Sequence, residues 1–149
     1  FQAELDNIPN HVQALAYLAD SDIHLNRPEA ALPLLQQAIE ISPSAELAHL
    51  DLGIVNADAG HRDIALQQFK MAATLSPNDM NVHWRLGRLY KEMGRNTLAK
   101  LEFEKTSALH EAANASVIQQ LDKANANGTV AGKSKGNAAE HADSRGIPR

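Results

Sequence analysis

The sequence predicts an all-α fold, a solenoid of stacked antiparallel helix pairs, and three observations carry that prediction. Residues recur in steps of 34: Pro9, Pro43 and Pro77; Ala31, Ala65 and Ala99; Phe1, Leu35, Phe69 and Phe103; Gly53 with Gly87; Gly60 with Gly94. Between them, apolar side chains follow the i, i+3, i+4 spacing of amphipathic helices. Gly, Asn and Pro then punctuate the chain at intervals of one short helix. A fixed period of this length marks an array in which each unit buries its apolar face against the next, so the chain presents a long surface rather than a reaction pocket.

The first unit, residues 12–45, reads as two helices. From about His11 to His24, Val12, Leu15, Leu18, Ala19 and Ile23 share one face. Asn26 then tolerates a left-handed turn, and Pro28 suits the first turn of the next helix. That helix, to about Ile41, presents Ala31, Leu35, Ala38, Ile39 and Ile41; Pro33 inside it deletes one backbone hydrogen bond and predicts a slight bend. In the second unit, 46–79, Ser44 is expected to cap a helix from about Ala45 to Ala59, Gly60 ends it, and a helix from about Arg62 to Leu75 follows. In the third unit, 80–113, Asn78 and Asp79 are placed to cap a pair spanning about Met80–Met93 and Thr97–His110, broken at Gly94. Turns this short force neighbouring helices antiparallel.

Small residues mark where the helices of a pair approach. Ala19, Gly53 and Gly87 share one register position, and Ala31, Ala65 and Ala99 another. A mid-helix glycine costs about 1 kcal/mol relative to alanine, so Gly53 and Gly87 predict crossings with no room for a methyl group. Phe1 falls at a core position of an earlier unit, and residues 1–11 read as the end of a truncated upstream repeat. After the third unit Glu111 stands where a proline would fall, and Ser116 with Gln119 forms a capping box ahead of Val117, Ile118 and Leu121. Residues 114–125 are therefore expected to form a short helix capping the last unit. Residues 126–149, rich in Ala, Asn, Gly and Ser, are expected to be a disordered tail.

With 44% hydrophobic and 21% charged residues, the chain has enough apolar material for a folded core. No apolar run approaches the roughly 20 residues of a membrane-spanning helix. Zero cysteines exclude disulfides, thiolate zinc sites and a cysteine nucleophile. Compartment stays open between cytoplasm and periplasm, since no targeting segment is visible. Residues 1–79 carry eleven acids and three bases, residues 80–121 four and six, and residues 122–149 three and five. An acidic first half argues against general nucleic-acid binding, which needs clustered Lys and Arg.

These residues resemble the tetratricopeptide repeat (TPR) family. The middle unit matches its pattern with Leu52, Gly53, Ala65, Phe69, Ala72 and Pro77; the third with Leu86, Gly87, Tyr90, Ala99 and Phe103, departing at Thr106 and Glu111. The first matches with Leu15, Leu18, Ala19, Ala31, Leu35, Ala38 and Pro43, while Asp22 replaces the usual aromatic. The stretch HWRLGRLYKEMGR is similar to bacterial members. The resemblance covers about Phe1 to Leu121 and implies a right-handed superhelix. Its concave face, lined by the first helix of each pair, would bind a peptide or partner helix, without enzymatic activity.

In the family register the expected groove residues are Leu47, Leu50, Ile54 and Asp58 from the second unit and Asn81, Trp84, Arg85, Arg88 and Lys91 from the third. Leu47, Leu50 and Ile54 form an apolar stripe, and Trp84 with Arg85 and Arg88 is the best anchor, since Trp and Arg dominate binding hot spots. The plain alternatives are a face covered by a neighbouring segment and a solvated charged face. Some family members clamp a chaperone's C-terminal carboxylates, but the corresponding places here hold Ala16, Asp20, Asp51, Asn81 and Arg85. Only Arg85 matches, and Asp20 and Asp51 would repel a carboxylate.

No catalytic, cofactor or metal site is expected. His49 and His83 share a structural register position without a second ligand one turn away, and Asn114 stands where His110 and Glu111 would need a second histidine for a zinc-protease motif. The expected function is a non-catalytic interaction scaffold. The alternative is a regulatory or substrate-docking segment of a larger enzyme or secretion machine. Weak self-association through Phe1 and Leu5 at the N-terminal edge is a third reading.

Overall fold

A computed structural model of the chain describes residues 7–132, with side chains through residue 128. Six helices occupy this span: α1 (Ile8–His24), α2 (Pro28–Ile41), α3 (Glu46–Asp58), α4 (Arg62–Leu75), α5 (Met80–Glu92) and α6 (Asn96–Gly132). They form an all-α solenoid: α1 pairs with α2 and α3 with α4, while α2 against α3, α4 against α5 and α1 against α3 join successive pairs. Contacts divide the chain into two units, Phe1–His110 and Glu111–Arg149.

The period is visible first in the turns. Asn26, Gly60 and Gly94 adopt left-handed backbone, with φ of 57°, 81° and 73°. The N–H of the following residue then donates back to the helix at 2.8 Å each time, Arg27 to Asp22, His61 to Asn56 and Arg95 to Tyr90. This closes each first helix with the same orphan carbonyl satisfied. Asp22, where the family favours an aromatic, also holds Arg27 Nη2 at 2.6 Å.

Packing repeats as well. A Cβ built on Gly53 would stand 2.5 Å from Phe69 Cδ1 and Cε1, and one on Gly87 would stand 2.7 Å from Phe103 Cε1. Each glycine lets an aromatic ring from the second helix lie on the first helix's backbone. In the first pair the two positions hold Ala19 and Leu35, both fully buried, so a smaller second-helix side chain accompanies a larger first-helix one.

A polar clip accompanies the apolar one. His49 Nε2–H donates to the Pro43 carbonyl at 2.8 Å, with Nδ1 at 2.8 Å from the Gln68 side-chain amide. His83 repeats this 34 residues on, with Nε2 at 2.7 Å from the Pro77 carbonyl and Nδ1 at 2.7 Å from the Glu102 carboxylate. Each imidazole ties the turn entering a unit to that unit's second helix. Partial burial pushes the Glu102 carboxyl up, but hydrogen bonds from Lys105 and His83 outweigh it and hold it below the usual carboxylate range. Replacing His83 by Leu removes the imidazole from the Pro77 carbonyl and leaves the Glu102 carboxylate with Lys105 alone. We expect a loss of about 1–3 kcal/mol in urea unfolding; an unchanged midpoint would make the clip energetically idle.

Several expectations need correction. Ser44 does not cap α3, whose N-cap is Ala45; its Oγ lies 3.2 Å from Ser42 Oγ instead. Asp79 does cap α5, accepting from the Asn81 N–H at 2.8 Å. Leu18, expected in the core, is 54% exposed. Its register mate Leu52 packs against the first pair's core, but α1 has no preceding pair among the described residues to cover Leu18. The helices expected at Thr97–His110 and 114–125 are one continuous helix, α6, which also takes in residues 126–132 of the expected tail. Between Arg95 and Asn127 there is neither Gly nor Pro, so nothing stops the helix where the family's proline is missing. Val117, Ile118 and Leu121 are exposed on it. Phe1, Leu5 and residues 133–149 lie outside the described residues.

Candidate functional site

The first helix of the third unit builds the site from its own local bonds. Asn81, whose N–H is held by the Asp79 cap, uses its side-chain Oδ1 to accept from Arg85 Nε at 3.0 Å one turn later. Arg88 lies over the Trp84 ring at 5.0 Å, a cation–π distance, and its Nη2 reaches Glu92 Oε1 at 3.4 Å. Spacing of four residues puts each pair on one side of the helix.

Where α5 faces α3, these side chains frame a recess of about 70 Å³ lined by Ile54, Ala57, Asp58, Phe69, Trp84, Arg85, Arg88, Leu89 and Glu92. It joins an apolar floor to a charged rim. Trp84 is 42% exposed, a large apolar surface beside the opening.

Five of the nine expected groove residues therefore come together here: Ile54, Asp58, Trp84, Arg85 and Arg88. Leu47 is half-buried and outside the lining, while Asn81 and Lys91 are exposed on α5 and do not reach it. Leu50 is a correction. It is 5% exposed and belongs to a core cluster with Val82, Leu86 and Leu89 of α5, because stacking of the third pair covers the face that the register leaves open. Phe69, which helps form the recess together with Leu89, reads as a core position of the repeat in the sequence. Its register position carries no sign that it borders an opening.

Electrostatics single out two residues on successive first helices. Burial pulls the Arg85 guanidinium down from its ordinary value, opposed by the charges of Asp58 and Asp51. Asp51, one repeat earlier, is 2% exposed, and its Oδ2 has no hydrogen-bond partner among the described residues. Burial pushes its carboxyl up to about 7, reinforced by Asp20 and Glu46 and opposed by Arg85 and His24. His24 in turn is raised by its bond to the Asp20 carbonyl and by the Asp20 carboxylate 3.2 Å away.

Among the described residues no group of three or more His, Asp or Glu side chains gathers as a metal ligand set, and no helix is long and apolar enough to cross a membrane.

A tetratricopeptide repeat family model matches residues 81–106. Among solved structures, one of MamA is similar at 22% identity and a TM-score of 0.66, covering 70% of this chain and 61% of that one. A mutant of MamA is similar at 30% identity and a TM-score of 0.61, covering 68% of this chain and 74% of that one. The second TPR domain of Spaghetti (RPAP3), bound to the HSP90 peptide SRMEEVD, shares the fold at 14% identity and a TM-score of 0.66, over 72% of this chain and 96% of that one. The chain thus spans about three fifths of the length of the first MamA structure. No curated protein sequence matches it.

Proposed function

Because the chain belongs to the tetratricopeptide repeat family, we propose that it is a non-catalytic interaction scaffold whose concave face binds an extended peptide or a helix of a protein partner. One observation carries this reading: the recess between α3 and α5, with Trp84 exposed at its mouth, Ile54 and Phe69 in its lining, and Arg85 and Arg88 at its edge. An aromatic anchor, an apolar floor and a guanidinium pair form the kind of small, partly dry pocket in which interface energy concentrates. Helices α3 and α5 hold these groups on rigid backbone, so little ordering is required on binding.

Peptides selected from a random-peptide display library on the wild-type protein test the reading. An Ile54→Asp, Trp84→Ala double variant is expected to lose at least about tenfold in affinity for them while keeping its helical circular dichroism. Trp84 is exposed and Ile54 packs partly against the core, so the retained circular dichroism is what separates lost binding from lost folding. Equal affinity of the wild type and the folded variant for every selected peptide would place binding elsewhere.

A further inference from the structure

We propose that Asp20 on α1 and Asp51 on α3 form a subsite for an arginine or lysine side chain of the bound segment, an inference that rests on the concave face being the binding face. The contrast among buried polar groups carries it. Asp22 is answered by Arg27, both nitrogens of His49 and of His83 have partners, and the Asn56 amide donates to the Leu52 carbonyl. Asp51 is buried to the same degree, yet no donor among the described residues meets its Oδ2. Glu46 shares that condition at one oxygen, but a hydrogen bond with Ser76 engages its carboxyl. Burying a carboxylate without a donor opposes folding, and a position kept only for packing is better served by an apolar residue.

Charge decides what kind of donor fits. The groups in electrostatic reach of Asp51 are Asp20 and His24 from α1, Glu46 from its own helix and Arg85 from α5. Arg85 is shared with Asp58, and His24 is bonded to Asp20, so the carboxyls outweigh the cations left to answer them. A neutral amide would satisfy one oxygen and leave that imbalance, whereas a guanidinium or ammonium corrects both. The preference is the opposite of a carboxylate clamp: the arrangement that would repel an acidic peptide end attracts a basic side chain.

Proton linkage gives the subsite a second signature. A cation binds the ionised form of Asp51, so below neutrality binding must release a proton, and affinity rises as pH increases through about 7. His24 acts in the same direction, because its protonated form competes for Asp20 at lower pH.

The test uses the display-selected peptides that depend on Ile54 and Trp84. They are expected to be enriched in Arg or Lys, and to lose about tenfold or more in affinity both on Asp51→Asn and when their basic residue is replaced by its neutral analogue, citrulline for arginine. Their affinity for wild type is expected to rise several-fold between pH 6 and pH 8, and much less for Asp51→Asn. Groove-dependent peptides that bind wild type and Asp51→Asn alike, or tolerate the neutral analogue, overturn the cation subsite and leave the binding face standing. A selection that yields no groove-dependent peptide overturns both.

Discussion

Gly53→Ala is expected to destabilise the protein by about 1–3 kcal/mol, in the direction opposite to that of the same change on an open helix. Alanine is favoured by about 1 kcal/mol over glycine in a helix interior, so an unobstructed site would gain stability. Here the new methyl would stand 2.5 Å from two carbons of the Phe69 ring. That ring is 2% exposed and packed within the core cluster that contains Leu50, Val82 and Leu86, so making way for the methyl displaces it from those neighbours. The melting temperature should fall by roughly 3–10 °C. Phe69→Leu in the same chain should recover part of the loss, since the first pair makes this crossing with Ala19 and Leu35. A melting temperature that rises in the single variant, or double-variant effects that simply add, would show that the ring does not set the glycine requirement.

The second large effect concerns Asp51 and depends on pH. Its folded-state carboxyl sits near 7, against 3.8 for the unperturbed group, so the folded state holds a proton that the unfolded chain releases. Below about pH 4 both states are protonated and the site imposes no ionisation cost. As pH rises from 4 through 7 stability falls, and above about 8 the full cost of a buried, unanswered carboxylate is present. Each tenfold change in the ionisation equilibrium corresponds to about 1.36 kcal/mol, which puts that cost on the order of 2–4 kcal/mol. Asp51→Asn keeps the shape and removes the charge. Its melting temperature relative to wild type should therefore increase by several degrees between pH 5 and pH 8. Glu102, lowered by its bonds, titrates alike in both proteins and cancels from the difference, whereas Glu46 and Asp20, which help raise Asp51, belong to the effect being measured. An offset that stays constant across that range would mean Asp51 titrates as an ordinary carboxyl. A residue that lowers stability at neutral pH in a position of this kind fits a binding role better than a packing one.

The two predictions separate what is local from what is assembled. Gly53 and Gly87 were legible because a glycine inside a strongly helical pattern contradicts its own propensity, and the contradiction repeats 34 residues on. Asn26, Gly60 and Gly94 were legible for the same reason, since each turn needs a residue that accepts positive φ. Ser44 looked like a cap as plausibly as Asp79 did, yet only Asp79 serves as one. Capping depends on the exact direction in which the chain enters the helix, and side-chain type alone does not set it. The candidate site divides in the same way. Trp84, Arg85 and Arg88 follow from helical register, whereas the places of Phe69 and Leu89 in the lining of the recess follow from how two pairs meet.

By itself the sequence determined the period, the helix pairs, the left-handed turns and the matching of small residues to large ones, because these are set by backbone preference and side-chain volume within a few turns of one helix. Only the tertiary structure decided that Leu50 and Asp51 are buried, that Leu18 is exposed and that the recess lies between α3 and α5. Register gives the direction in which a side chain leaves its helix. Whether that direction ends in water or in a neighbouring repeat depends on the stacking of the next pair, which is encoded in another part of the chain.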